Sequence, residues 1–299
     1  MPDRDENGLL VPAVIFVGPL KTGTTWIYDY LAETNSVVLP RDTKETFFFD
    51  RYFDMGLSHY LSLFAQVAPQ AGKLRPVVEV APSYANGSLI AFDRIAASLP
   101  HVRVVITVRD PVERAVSQYW HEIRYGYYEG SLESHLRLDD PIVQNSDYPS
   151  IVRAANAAFG SQNVFILEFS EMLSDPELFC SRVCNVLGIE YVRPSSSLVG
   201  SASNEGRVPR SPRVSRLSTH VVDFMKKHQM YRLSRLAKEA GLRRLLERRP
   251  TSSESLVSNE QRQSLGHLIG FDYGTFVQEV EAYIPSPRGP LRPKIRGGD

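Results

Sequence analysis

Lys21 stands in the turn G-P-L-K-T-G-T-T (Gly18–Thr25). Before it, Val14, Ile15, Phe16 and Val17 form the apolar run of a strand covered on both faces. After it, Trp26, Ile27, Tyr30 and Leu31 recur at helical spacing. A strand, a small-residue turn and a helix start make an anion site, because unpaired backbone N–H groups and the positive end of the helix dipole face the turn. Lys21 adds a point charge, and Thr24 and Thr25 add hydroxyl donors. The chemistry this predicts is phosphate binding. The plain alternative is a Gly/Thr-rich turn carrying a surface lysine.

Three further groups carry chemistry. In K-E-T-F-F-F-D (Lys44–Asp50) a charged pair precedes three phenylalanines. Glu45 there is a candidate general base beside an aromatic wall, or else half of a surface ion pair next to a core anchor. In V-R-D-P (Val108–Pro111), Arg109 ends a strongly apolar strand (Val102 to Val108), and Asp110-Pro111 starts a helix. Arg109 therefore falls at a carboxyl strand end, where open α/β sheets bind ligands, unless Asp110 or Glu113 claims it. Ser117 lies two turns into that helix. Near Gly206, the arginines Arg207, Arg210 and Arg213 sit in a Ser/Gly/Pro-rich stretch and could fork onto phosphate.

The elements that must position these groups alternate. Strands are predicted at 14–17, 37–39, 77–80, 102–108 and 164–169. Helices are predicted from Trp26, at 52–66, 89–99, 112–125, 148–159, 176–187, 214–227 and 231–246, and as a pair around Gly270. This alternation predicts an α/β fold with a parallel central sheet flanked by helices, and a helical C-terminal part. One domain over 12–285 with loose termini at 1–11 and 286–299 is expected. The turn-rich stretch Gly126–Ser146 is a candidate binding loop. The clusters Tyr125–Tyr128 and Phe47–Phe49 suit either a stacked ligand or the core. Arg243, Arg244, Arg248 and Arg249 read as a solvated face.

Composition bounds the rest. The 299 residues carry 34 Lys+Arg and 34 Asp+Glu, so no bulk charge favours a nucleic acid, and an anion site must be local. No apolar run approaches the ~18 residues of a membrane span, and the polar start shows no apolar signal core; a cytoplasmic location is expected. The two cysteines, Cys180 and Cys184, sit four apart in a helical pattern and read as buried thiols. The seven histidines are scattered without ligand spacing, so no metal is expected.

Together, G-P-L-K-T-G-T-T-W (Gly18–Trp26), V-R-D-P-V-E-R-A-V-S-Q-Y (Val108–Tyr119) and S-A-S-N-E-G-R (Ser201–Arg207) resemble the nucleotide-binding segments of sulfotransferases that use 3′-phosphoadenosine 5′-phosphosulfate (PAPS). The resemblance covers roughly residues 12–285. It is greatest to the carbohydrate branch (heparan sulfate and N-deacetylase-like) and its bacterial relatives, where an acidic residue precedes an aromatic pair as in K-E-T-F-F-F-D. It implies a P-loop-like fold and an O-sulfotransferase. Lys21, Thr22, Gly23, Thr24, Thr25 and Trp26 would hold the 5′-phosphosulfate, Arg109 and Ser117 the 3′-phosphate, and Gly206 and Arg207 the nucleotide from a late loop. Lys21 and Glu45 would be catalytic, with Glu45 the base.

Two positions depart from the branch. Val80 stands where a lysine is common, which makes Lys44 a candidate for the second cation. Phe47 stands where a histidine sometimes follows the base. His101 and His121 are reserve bases. The acceptor implied is a hydroxylated small molecule, glycoside or glycolipid. The competing reading is a kinase or NTPase of P-loop type, against which Lys21 precedes the second glycine of its turn instead of following it.

Overall fold

The computed structural model describes residues 9–64, 75–86, 90–200 and 257–286, with short pieces between 208 and 248. Four parallel strands form the central sheet: β1 (Val14–Gly18), β2 (Val78–Val80), β3 (Arg103–Val108) and β4 (Val164–Glu168), in the order β2-β1-β3-β4. Val14 and Ile15 of β1 pair with Val78 and Glu79 on one side and with Arg103 and Val104 on the other. The strand order reverses across β1, so a cleft opens at the carboxyl ends of β1 and β3.

Period-two alternation explains the two layers. Ile15, Val17, Val104, Ile106 and Val108 point to one face, where Phe92, Ile95, Ile151, Ala155 and Phe276 cover them. Val14, Phe16, Val78, Val80 and Val105 point to the other, under Trp26, Ile27, Tyr30, Phe179 and Val183. The strands read as unbroken apolar runs because both faces are covered. The first face is covered by α4 (Ile90–Ser98), α7 (Tyr148–Phe159) and α12 (Tyr273–Glu279), and the second by α1 (Thr24–Thr34) and α9 (Pro176–Leu187). Helix α5 (Pro111–Tyr125) packs with α6 (Pro141–Gln144) and α11 (Asn259–Ile269) around a third cluster that includes Ala115, Ile142 and Leu265. Cys180 and Cys184 are buried free thiols in α9, as expected.

Local signals set the boundaries. Asp110 caps α5, its carboxylate accepting from the Glu113 N–H at 2.9 Å, with Pro111 in the first turn. Gly188 ends α9 in the left-handed region. Some expectations changed. Residues 37–39 form only a bridge, Val38 to Val77, not a strand. The helix expected at 52–66 is broken at Gly56, whose φ of 82° no helix interior adopts, leaving a short turn and α3 (Leu57–Ser62). The helices expected at 214–227 and 231–246 lie largely outside the described residues. Among the described residues, no helix is long and apolar enough to cross a membrane.

Gly18 closes β1 with φ 99°, and a Cβ there would lie 2.4 Å from the Pro82 carbonyl oxygen. Gly18→Ala thus meets both backbone strain and a backbone clash. It is expected to lower stability by roughly 2–4 kcal/mol in denaturant unfolding; a loss under about 0.5 kcal/mol would show that β1 and Pro82 are not so closely apposed.

Candidate active site

The turn after β1 is wound by three left-handed residues, Gly18, Lys21 and Gly23, at φ 99°, 72° and 87°. For a lysine this conformation is costly, and such strain gathers at functional sites. Thr22 holds the turn from inside: its hydroxyl donates to the Pro19 carbonyl at 2.7 Å and also pairs with the Thr107 hydroxyl of β3. Thr22 is buried, so its side chain serves the turn, and its backbone N–H is the part that can meet a ligand. Thr24 is buried and Thr25 exposed at the start of α1. Beneath Gly23 lies the Phe169 ring, which an added Cβ would approach to 2.8 Å.

The second strand–turn–helix unit grips the first. The Arg109 guanidinium donates to the Lys21 carbonyl at 3.4 Å and lies 4.7 Å over the Phe169 ring. Its backbone is fixed by Tyr148, whose hydroxyl donates to the Arg109 carbonyl at 2.8 Å and accepts from the Arg109 N–H at 3.2 Å. Glu113, a possible rival partner of Arg109, is paired with Arg262. Ser117 is half-buried on α5.

Glu45 approaches from a third direction. The Lys44 ammonium lies 3.3 Å from the Glu45 carboxylate and donates to the Thr25 hydroxyl at 3.1 Å. The pair is no surface contact: the side chains are 19% and 18% exposed. Lys44 thus ties the candidate base to the first turn of the phosphate helix. Phe48 and Phe49 belong to the core, whereas Phe47 carries the Arg51 guanidinium 4.4 Å over its ring. The wall is therefore mostly packing, with one face turned outward. The Tyr125 ring lies tilted against His121 (4.3 Å) and stacks on Tyr127 (6.5 Å) at the end of α5.

Other candidates sit elsewhere. The Trp26 side chain is buried against Phe179, and its indole donates to the Leu198 carbonyl at 3.0 Å, so it anchors the segment before the late loop and does not face the turn. His101 precedes β3, at the sheet edge opposite the cleft. Val80 is core. Gly206 and Arg207 lie outside the described residues.

Electrostatics single out Lys21. Burial, joined by the charges of Arg124, Arg109 and Lys44 and opposed by Glu122, lowers its pKa from 10.5 to about 8. Cations crowd a partly desolvated site, which favours an anion there. Residues overlooked in the sequence complete it. Arg114, fully buried in α5, donates to the Leu20 carbonyl at 3.2 Å, the Gln118 amide oxygen at 2.6 Å and the Ser146 hydroxyl at 2.8 Å, bracing the turn from behind. Arg114 shares its helix face with Pro111 and Gln118, three and four residues away and also buried, so no run of apolar residues marked it. Glu122 lies within reach of the Lys21 and Arg51 charges, and burial raises its pKa. Glu79, buried in β2, hydrogen-bonds the segment that carries Glu45.

The fold and site define a parallel α/β protein whose two phosphate-type turns meet where the strand order reverses. The sulfotransferase family model matches residues 51–193. Among curated relatives, the membrane-associated sulfotransferase kil1 of Dictyostelium discoideum is 30% identical over 39% of this chain and 24% of its own length. The bifunctional heparan sulfate N-deacetylase/N-sulfotransferase of Drosophila melanogaster is 26% identical over 52% and 15%. Heparan sulfate glucosamine 3-O-sulfotransferase 3A1 of Homo sapiens is 33% identical over 38% and 27%. The matches thus span about a quarter or less of these relatives' length. In structure, the sulfotransferase of Alicyclobacillus acidocaldarius superposes with a TM-score of 0.55 at 20% identity, covering 75% of this chain and 97% of that one. The chain is thus similar to sulfotransferases over residues 51–193, and the proteins it resembles include heparan sulfate sulfotransferases.

The lowered pKa of Lys21 has a measurable sign. Unliganded, the folded state holds this proton less well than the unfolded chain, so between pH 8 and 10.5 stability from this group rises with pH. Anion binding runs the other way. A phosphate ester is dianionic above about pH 6, so affinity for 3′,5′-adenosine bisphosphate is expected to fall as pH rises beyond 8. Bound phosphate draws the lysine's pKa back up, which places the decline at or above that value. Calorimetry across pH 7–10 checks this: Lys21→Met should bind more weakly with no such decline, and an identical pH profile in the variant would remove Lys21 from the anion site.

Proposed function

We propose that the protein transfers a sulfuryl group from PAPS to a hydroxyl of a carbohydrate or other small hydroxylated acceptor. One observation carries this reading. Lys44 joins the Glu45 carboxylate to Thr25, at the mouth of the turn that holds Lys21. A base and an anion cradle thereby face one space.

PAPS as donor supplies a sulfuryl group on a 5′-phosphate that leaves as an anion. Glu45 takes the acceptor's hydroxyl proton. The acceptor oxygen bonds to sulfur as the bond from sulfur to the 5′-phosphate oxygen breaks, and the electron pair stays on that oxygen. Lys21, the N–H groups of residues 22–25 and the start of α1 stabilise the charge that develops there. Arg109 and Ser117 hold the 3′-phosphate, so a nucleotide with a single phosphate end binds poorly. Lys44 stands where it can serve as the second cation, a role Val80 cannot fill. Little covalent work falls to the protein, and positioning with electrostatics does most of it. Relatives named for N- and for O-transfer support the sulfuryl chemistry equally; a base that is a single carboxylate suits a neutral hydroxyl. Arg51 over Phe47, with Glu122 across from it, lines the acceptor side.

Two experiments test this. In thermal-shift measurements 3′,5′-adenosine bisphosphate without Mg²⁺ is expected to stabilise the protein and Mg·ATP to do so weakly; the reverse ranking supports the kinase reading. With labelled PAPS and a panel of glycosides and phenols, Glu45→Gln is expected to lower turnover about 10²-fold or more, with bisphosphate affinity unchanged. Near-full turnover in that variant would falsify the base assignment.

A further inference from the structure

Glu79 is a carboxylate in the wrong place for a strand. Its neighbours Val78 and Val80 face the α1 side of the sheet, so Glu79 faces the opposite layer, among Phe48, Phe49, Tyr60 and Tyr84. It is fully buried. An unpaired carboxylate there would be very costly, yet this one is saturated with donors. One oxygen accepts from the Thr46 hydroxyl at 2.5 Å, the Thr46 N–H at 3.3 Å and the Tyr84 hydroxyl at 3.1 Å. The other accepts from the Tyr60 hydroxyl at 2.7 Å.

Thr46 is the next residue after Glu45. Its hydroxyl both donates to Glu79 and accepts from the Phe48 N–H at 3.2 Å. On the other side of Glu45, the Thr43 hydroxyl donates to the Glu45 carbonyl at 2.8 Å. Phe47 is left-handed at φ 54°, which makes the backbone turn sharply just beyond the base. The segment that carries Glu45 has no strand or long helix of its own. Its fixed point is the hydrogen-bonded grip of Glu79 on Thr46. Glu79 in turn pairs in register with Ile15 of β1, the strand that feeds the Lys21 turn.

We propose that Glu79 is a positioning residue: acting through Thr46, it sets where the Glu45 carboxylate stands relative to Lys21. The inference rests on the reading of Glu45 as the base. Burial, opposed in part by the bonds from Thr46, Tyr60 and Tyr84, raises the Glu79 pKa to about 7. The ionised form, which is acceptor-only, takes all four of those contacts at once.

The carboxylate carries its own control. Thr46 and Tyr60 each donate to it, on different oxygens, but only Thr46 is joined to Glu45. Thr46→Val, Thr46→Ser, Tyr60→Phe and Glu45→Gln are compared as full-length proteins. Turnover is read as sulfate release from PAPS, with water as the acceptor, and crystals are grown with 3′,5′-adenosine bisphosphate. Thr46→Val is expected to lower kcat by about tenfold or more, to leave KM for PAPS within about twofold, and to move the Glu45 carboxylate by about 1 Å or more. Thr46→Ser should restore kcat. Tyr60→Phe should lower the melting temperature but leave kcat within about twofold.

Equal kcat in Thr46→Val and Tyr60→Phe, with Glu45 unmoved, overturns the inference. If wild-type sulfate release is too slow to read, the position of Glu45 in the Thr46→Val and Tyr60→Phe crystals decides by itself. If Glu45→Gln turns over like the wild type, the base reading fails and this inference falls with it. If Glu45→Gln is inactive while Thr46→Val matches the wild type, the base stands and only the positioning role falls.

Discussion

Lys21 is held in a left-handed backbone conformation, partly out of water, with Arg109, Arg124 and Lys44 close enough to lower its pKa. Each of those facts costs free energy in the empty protein. The surrounding structure offsets the cost by over-determining the turn. Thr22 ties it to Pro19 and Thr107, Arg109 and Arg114 donate to its carbonyls, and Phe169 fills the space beneath Gly23. An anion entering such a site meets donors already aimed and already desolvated, so little reorganisation remains when charge develops.

Arg114 shows how far the constraint reaches. It is fully buried, and its hydrogen-bond partners are neutral: Ser146, Gln118 and the carbonyls of Leu20 and Ile142. Burial lowers its pKa to about 10, so it stays charged at neutral pH. Its charge lies behind the phosphate turn, where it adds to the field of Lys21 without occupying ligand space. Helix α5 therefore contributes Arg109 just before its start, Arg114 in its second turn, and Glu122 and Arg124 near its end. One helix supplies the back of the anion site and one wall of the space beyond it.

The opposite wall is organised by a different principle. Lys44, Glu45 and Phe47 belong to an irregular segment whose order comes from a buried, hydrogen-bonded carboxylate in β2 and from the aromatic packing of Phe48 and Phe49. The Lys21 and Arg109 turns stand on regular strand–turn–helix units. Lys44 and Glu45 stand on a loop pinned to them. Loop residues such as these change with less damage to the sheet than strand residues do.

Much of the Lys21 and Arg109 region was legible in the residues themselves. The apolar run before Gly18, the helical spacing after Thr25 and the Asp110-Pro111 start are local signals, and local sterics enforce them. Lys21 and Arg109 could therefore be placed at strand ends before any contact was known, and the parallel sheet followed from the alternation. Three matters needed the tertiary structure. Trp26 turned inward, because a buried helix face claims large aromatics whatever motif they belong to. Lys44 and Glu45 proved to be a half-buried pair at the mouth of the turn, a contact 19 residues from Thr25 that adjacency cannot reveal. Glu79 and Arg114 acquired their roles from burial, and burial is a property of the packed layers. In V-E-V-A the charged residue breaking an apolar run was visible, but only the opposing layer, with Thr46, Tyr60 and Tyr84 aimed at one carboxylate, decided what that break is for.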